Sequence, residues 1–173
     1  MQLNPYGEHT VNLAADLANR RPASAEELAE RCRAAGLILE RPVGGRDLAQ
    51  TSVTLDAWEK IVDTSAEEER AALVNELLAR ATSHPRMTNH GGDGWHLHYR
   101  DDDQSLGPVL AALIAVGTAL HLVGRGMHRL RRCDATGCAL IFADTSRTGR
   151  QRYCSPRCAN RSAVRRHRAR ASG

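Results

Sequence analysis

Four cysteines between residues 133 and 158 are the strongest chemical signal in the chain. Cys133 and Cys138 form C-x4-C, Cys154 and Cys158 form C-x3-C, and residues 139–153 separate the pairs. Paired thiolates at this spacing close a tetrahedral site, and zinc is the ion that such closed sites hold. Iron–sulfur clusters use the same ligands, whereas two disulfides would need an oxidising compartment. One structural zinc ion is therefore expected on Cys133, Cys138, Cys154 and Cys158. Four thiolates leave no open coordination position for water or substrate, so the site itself argues against an enzyme. The intervening residues 139–153 read as strand, turn, strand, a hairpin between the two pairs.

The second pair opens onto a helix. Ser155-Pro156 supplies a hydroxyl N-cap and a proline at the first helical position, which predicts a helix over about 156–170 with Cys158 in its first turn. That helix carries Arg157, Arg161, Arg165, Arg166, Arg168 and Arg170, and Arg150 and Arg152 lie just before it. At 100° per residue, Arg157, Arg161, Arg165 and Arg168 fall within an arc of about 80°. Only Val164 and a few alanines oppose them, so the helix should be solvated and cationic rather than part of a core.

Charge is split along the chain in the same sense. Residues 125–173 hold 13 Arg against Asp134 and Asp144, a balance of +11, whereas residues 1–124 sum to −7; together they give the overall +4. An acidic body with a basic end points to a polyanion, and Arg serves both phosphate contacts and guanine edges in a major groove.

The elements that must position this end read as a mainly helical body. Ser24 with Glu27 makes a capping box, Leu28, Cys32 and Ala35 share a face, and Gly36 is a stop signal. A second helix runs through Leu55, Trp58, Ile61 and Val62. A third is expected to start at Ser65 and to bury Leu73, Val74, Leu77, Leu78 and Ala81 before Pro85. Residues 86–89 and 95–100 flank a glycine-rich turn and predict a β-hairpin, with His96 and His98 on one face. A two-histidine metal site with His90 is conceivable there, although two histidines on a solvated strand face are the commoner case. No His-Glu-x-x-His, phosphate-loop or nucleophile-elbow motif occurs.

Residues 106–124 lack any charge, near the length that spans a bilayer. Their strongest apolar positions, Val109, Leu113, Val116, Leu120, Val123, Met127 and Leu130, step by fours and threes. That spacing suggests a core or dimer helix over 106–131 rather than a membrane span, and a stiff helical junction to Cys133. Residues 1–30 show no basic leader with an apolar run, so a cytoplasmic protein is expected.

The finger residues resemble the CGNR zinc finger of bacterial proteins that carry an N-terminal ABATE domain, a group described as stress-induced transcription regulators. The likeness rests on Cys133, Cys138-Ala-Leu-Ile-Phe142-Ala-Asp144-Thr-Ser-Arg-Thr-Gly149-Arg, Tyr153-Cys154-Ser and Cys158-Ala-Asn-Arg161. Toward the front, Asp16-Leu-Ala-Asn19 and Leu28-Ala-Glu-Arg-Cys-Arg-Ala-Ala-Gly-Leu37 resemble the family's opening and first long helix. Ala159 stands at the signature glycine, Tyr153 at a usual Trp, Arg20 at a usual Thr and Arg31 at a common Trp.

The resemblance implies a fold that is mostly α with a small β-hairpin (α+β) over residues 1–131, followed by a treble-clef-like finger over 132–173. It implies a DNA-binding transcription regulator, with double-stranded DNA as partner of the Arg helix. The body would sense an unidentified small-molecule signal or form a homodimer through the 106–131 helix. The alternative is a zinc-stabilised module that docks protein or RNA without reading DNA sequence.

Overall fold

The computed structural model describes residues 7–89 and 95–171. His90, a candidate ligand in the hairpin turn, lies outside the described residues. Among the described residues, six α-helices and four short strands follow one another as α1 (Glu8–Asn19), α2 (Ala25–Ala34), α3 (Gly45–Asp63), α4 (Glu67–Ala81), β1 (Arg86–Thr88), β2 (His96–His98), α5 (Leu106–Arg125), β3 (Leu130–Arg132), β4 (Ile141–Ala143) and α6 (Pro156–Ala171). The mainly α architecture with a small hairpin and a terminal finger is as expected.

Helix α2 begins as its sequence dictates. Ser24 Oγ accepts the Glu27 amide at 3.2 Å, and the Glu27 carboxylate reaches back to the Ala23 amide at 2.9 Å. At its end Leu37 N–H donates to Cys32 O and Gly36 N–H to Arg33 O, both at 2.9 Å. This is the Schellman arrangement, and Gly36 takes the φ of +83° that it requires.

Helix α5 is the axis of the body, packed by α1, α3 and α4. Leu110, Ile114, Leu17, Leu28, Leu55 and Trp58 are fully buried around it, and the Trp58 indole donates to Thr118 Oγ1 at 2.9 Å. By length and composition α5 could cross a membrane, yet 61% of its apolar window is buried inside the fold. Asp47 joins the starts of two helices: its carboxylate accepts Gly44 N–H at 3.0 Å and Gly107 N–H at 2.8 Å. An aspartate at the third position of α3 thereby satisfies an otherwise orphaned amide at the start of α5.

Three expectations need correction. The 106–131 segment is not one helix: α5 stops at Arg125, Gly126 turns the chain at φ +114°, and a single 3-10 turn over Met127–Arg129 leads into β3. The Val109-to-Leu130 stripe is only in part the buried face: Val116 and Leu130 are buried, but Val123 is 88% exposed, and Leu106, Leu110, Ile114 and His121, outside the stripe, point inward. A helix apolar on every side offers several stripes of the same spacing, and its neighbours decide which is covered. Finally, α4 starts at Glu67 without a side-chain cap. The chain before it is extended, and Thr64 closes α3 instead through its hydroxyl on Lys60 O at 2.8 Å.

The finger strands belong to the body's core as well as to the finger. Leu130, Ile141 and Ala143 pack into the main apolar cluster, while Phe142 and Ala135 join Cys133 and Cys158 in a smaller one. Alternation along β4 divides its side chains between the two. Asn19, the last residue of α1, acts as a strand partner: its Nδ2 donates to Ile141 O at 2.8 Å and its Oδ1 accepts Ile141 N–H at 2.7 Å.

Candidate metal centre

The hairpin that carries the first cysteine pair is β3–β4, not a hairpin between the pairs. The strands are antiparallel, with Leu130 opposite Ala143 and Arg132 opposite Ile141, so Cys133 and Cys138 lie in the connecting turn. Cys133 N–H donates to Leu140 O and Cys138 N–H to Ala135 O, each at 2.9 Å. Residues 147–153 form no strand. They lie along the hairpin through an Asp134 N–H bond to Arg152 O at 2.9 Å. Of the finger's few large hydrophobes, Phe142 is buried but Leu140 is 44% exposed.

A buried carboxylate organises the missing strand's place. Asp144 accepts Ser146 N–H at 2.9 Å, Ser146 Oγ–H at 2.5 Å and Gln151 N–H at 2.9 Å, with Arg129 3.7 Å away. Burial works against its ionisation. The Ser146 and Gln151 bonds and Arg129 outweigh that, holding the carboxyl below its ordinary value. Gly149, at φ +66°, passes so close that a Cβ there would stand 2.5 Å from the Arg129 guanidinium.

The second pair arrives as expected. Ser155 Oγ accepts Cys158 N–H at 3.3 Å, and Cys158 is buried in the first turn of α6. The Sγ atoms of Cys133, Cys138, Cys154 and Cys158 lie within 4.8 Å of one another. Two edges, Cys138–Cys154 and Cys154–Cys158, each measure 3.8 Å. Ligands at a Zn–S bond length of about 2.3 Å in a tetrahedron stand about 3.8 Å apart, so the donor set fits zinc in kind and spacing.

The electrostatics agree. Burial and three neighbouring thiols push the Cys154 thiol up to about 12, a penalty that a divalent cation relieves by drawing off the protons. At Cys133, burial is outweighed by the amides of Cys154 and Ala135, which hold it below its ordinary value. Cys154 N–H donates to Cys133 Sγ at 3.4 Å, and the Arg161 guanidinium donates to Cys158 Sγ at 3.5 Å. These four cysteines are the ligands of one structural zinc ion, in a treble-clef-like frame of turn and helix start.

The structure divides the basic residues of the finger into paired and solvent-facing groups. Arg152 is bound to Asp134 at 2.8 Å, and Arg131 holds the other Asp134 oxygen at 2.6 Å. Arg166 donates to the Tyr153 hydroxyl at 2.7 Å. Arg150, Arg157, Arg165 and Arg170 are exposed and have no acid within pairing distance among the described residues, and Arg168 is exposed too. Arg132 was not singled out from sequence. It bonds Asp63 at 2.6 and 2.8 Å and Glu59 at 3.1 Å, fastening the finger to α3. Charge periodicity could not separate these roles, because the acids that select them lie on distant helices.

Residues 129–171 match the family model of the CGNR zinc finger. No curated protein matches the chain. The family match begins one residue before β3 and ends with α6, so it is the C-terminal segment, with its four cysteine ligands, that is a CGNR-type zinc finger.

Proposed function

We propose that the protein is a DNA-binding transcription regulator whose zinc finger presents α6 to double-stranded DNA. One observation carries this reading: beyond the zinc-anchored first turn, α6 is exposed along its length, with Arg157, Arg161, Arg165 and Arg168 on one side. No aromatic side chain interrupts that face to stack unpaired bases, which favours a duplex over single strands. Phosphates along a groove edge match a row of guanidinium groups about one helical turn apart. The zinc site supplies rigidity rather than chemistry, and a non-catalytic, cytoplasmic protein fits this role.

The N-terminal helices are the ABATE-like part in this reading and carry the response to a signal. Pairing of two chains through the outer ridge of α5, where Val123 is exposed, would double the footprint on a two-fold symmetric site.

The test is a binding titration of the zinc-loaded protein against genomic DNA fragments from its source, at low and near-physiological salt. Retention of a few fragments at the higher salt is expected. Uniform loss of all fragments with salt would show only nonspecific charge and would refute sequence-specific regulation.

A further inference from the structure

The hairpin β1–β2 brings two imidazoles together far from the cysteines in sequence. Thr88 faces His96 and Arg86 faces His98 across the ladder, with Met87 opposite Leu97 between them. Alternation puts Met87 and Leu97, which are 69% and 48% exposed, on the outer face. The histidines share the other face, and the His98 side chain is only 12% exposed. Their Nε2 atoms are 3.1 Å apart. The rings are tilted by 58° with centroids at 4.9 Å, so the nitrogens converge rather than stack.

Two imidazole nitrogens on a tetrahedral ion, each about 2.0–2.1 Å from it, stand roughly 3.3 Å apart. The observed separation is close to that bite. A carboxylate also stands near the pair: Asp102 Oδ1 is 3.7 Å from the buried His98 Nδ1, close enough for an ion pair but beyond hydrogen-bond reach, and is itself paired with Arg86 at 3.2 Å. A metal-bound histidine commonly presents its other nitrogen to a carboxylate, which fixes the tautomer in which Nε2 ligates, and a small shift of Asp102 would make that bond to His98 Nδ1.

We infer that His96 and His98 form a second metal site, a nitrogen-donor site for a borderline divalent transition ion such as Zn2+, with Asp102 as the positioning residue. It is chemically separate from the thiolate centre. Imidazoles favour Zn2+, Ni2+ and Cu2+ over the hard ions Mg2+ and Ca2+. Unlike the finger, the pair leaves coordination positions for water or a further donor.

The experiment measures bound zinc per chain after equilibrium dialysis of the full chain against micromolar free Zn2+. Two ions are expected for the native chain. One is expected for the double variant His96→Asn, His98→Asn, the survivor showing that the finger is intact. Asp102→Asn should keep both sites but weaken the second roughly 10–100-fold. A single ion in the native chain would mean that an N–H···N hydrogen bond alone explains the contact, overturning the inference. A second ion retained by the double variant would overturn it too.

Discussion

Replacing Asn19 by Ala should loosen the finger from the body without touching a zinc ligand. The side chain makes two bonds to one backbone unit, Ile141 N–H at 2.7 Å and Ile141 O at 2.8 Å. Each such bond contributes about 1 kcal/mol net, and more where a partly buried partner is left unmade, so the loss should be about 2 kcal/mol. In a chain of this size that corresponds to roughly 4–8 °C in Tm. Thermal unfolding of the zinc-loaded protein would measure the total, and hydrogen exchange at the Ile141 amide would locate it. Asn19→Asp keeps the acceptor but loses the donor and turns a carboxylate toward Ile141 O, so it should be at least as damaging. An unchanged Tm together with unaltered exchange at Ile141 would refute the claim that this amide joins the two parts.

Cys154→Ser, or stripping zinc with a chelator, should unfold the finger and lower the Tm of the helical body as well, because Leu130, Ile141 and Ala143 sit in its core; far-UV dichroism against temperature reads both. Cys32, fully buried and pushed up to about 11 chiefly by burial, should resist a thiol reagent at neutral pH in the folded chain. The chelated protein should show four fast thiols and one slow one. Burial, aided by Arg125, holds His121 below the ordinary imidazole value of 6.5. Its contribution to stability is therefore complete above that value and declines as pH falls through it, by at most about 1.4 kcal/mol per pH unit. Denaturant titrations of the native chain and His121→Leu across pH 5–8 should differ in that slope. Arg165→Gln with Arg168→Gln should weaken DNA binding uniformly across sequences and flatten its salt dependence; a loss confined to one sequence would instead indicate base reading.

What could be read from the sequence was what is local. The Ser24 box, the Gly36 stop, the Ser155 cap and the cysteine spacings are each decided within a few residues, and each stands as read. Long-range choices were hidden. Arg70 looks like one more charge on a surface helix, yet it is 7% exposed. It donates to Thr64 O at 2.7 Å, to Val62 O at 3.1 Å and to the Met127 carbonyl. It thus clamps the end of α3 to the turn that leads into the finger. Likewise β4 took β3 rather than residues 150–153 as its partner. Asp144 satisfies the Gln151 amide that a second strand would have used, and no short-range pattern announces that competition. Asn19 was visible as part of a motif, but its partner lies at residue 141, beyond any periodicity.

The division of β4 between two cores also bears on how such a chain can be rebuilt. Ile141 and Ala143 face the helices while Phe142 packs with Cys133 and Cys158, so one strand is under two sets of packing constraints at once. The finger is consequently not a cassette. Grafted onto another protein it would carry apolar residues with nothing to cover them, and the helices it left would have an open groove beside Asn19. Recombination at the finger's edge should therefore succeed only when α1 travels with it, which ties the two ends of the chain into one inherited unit.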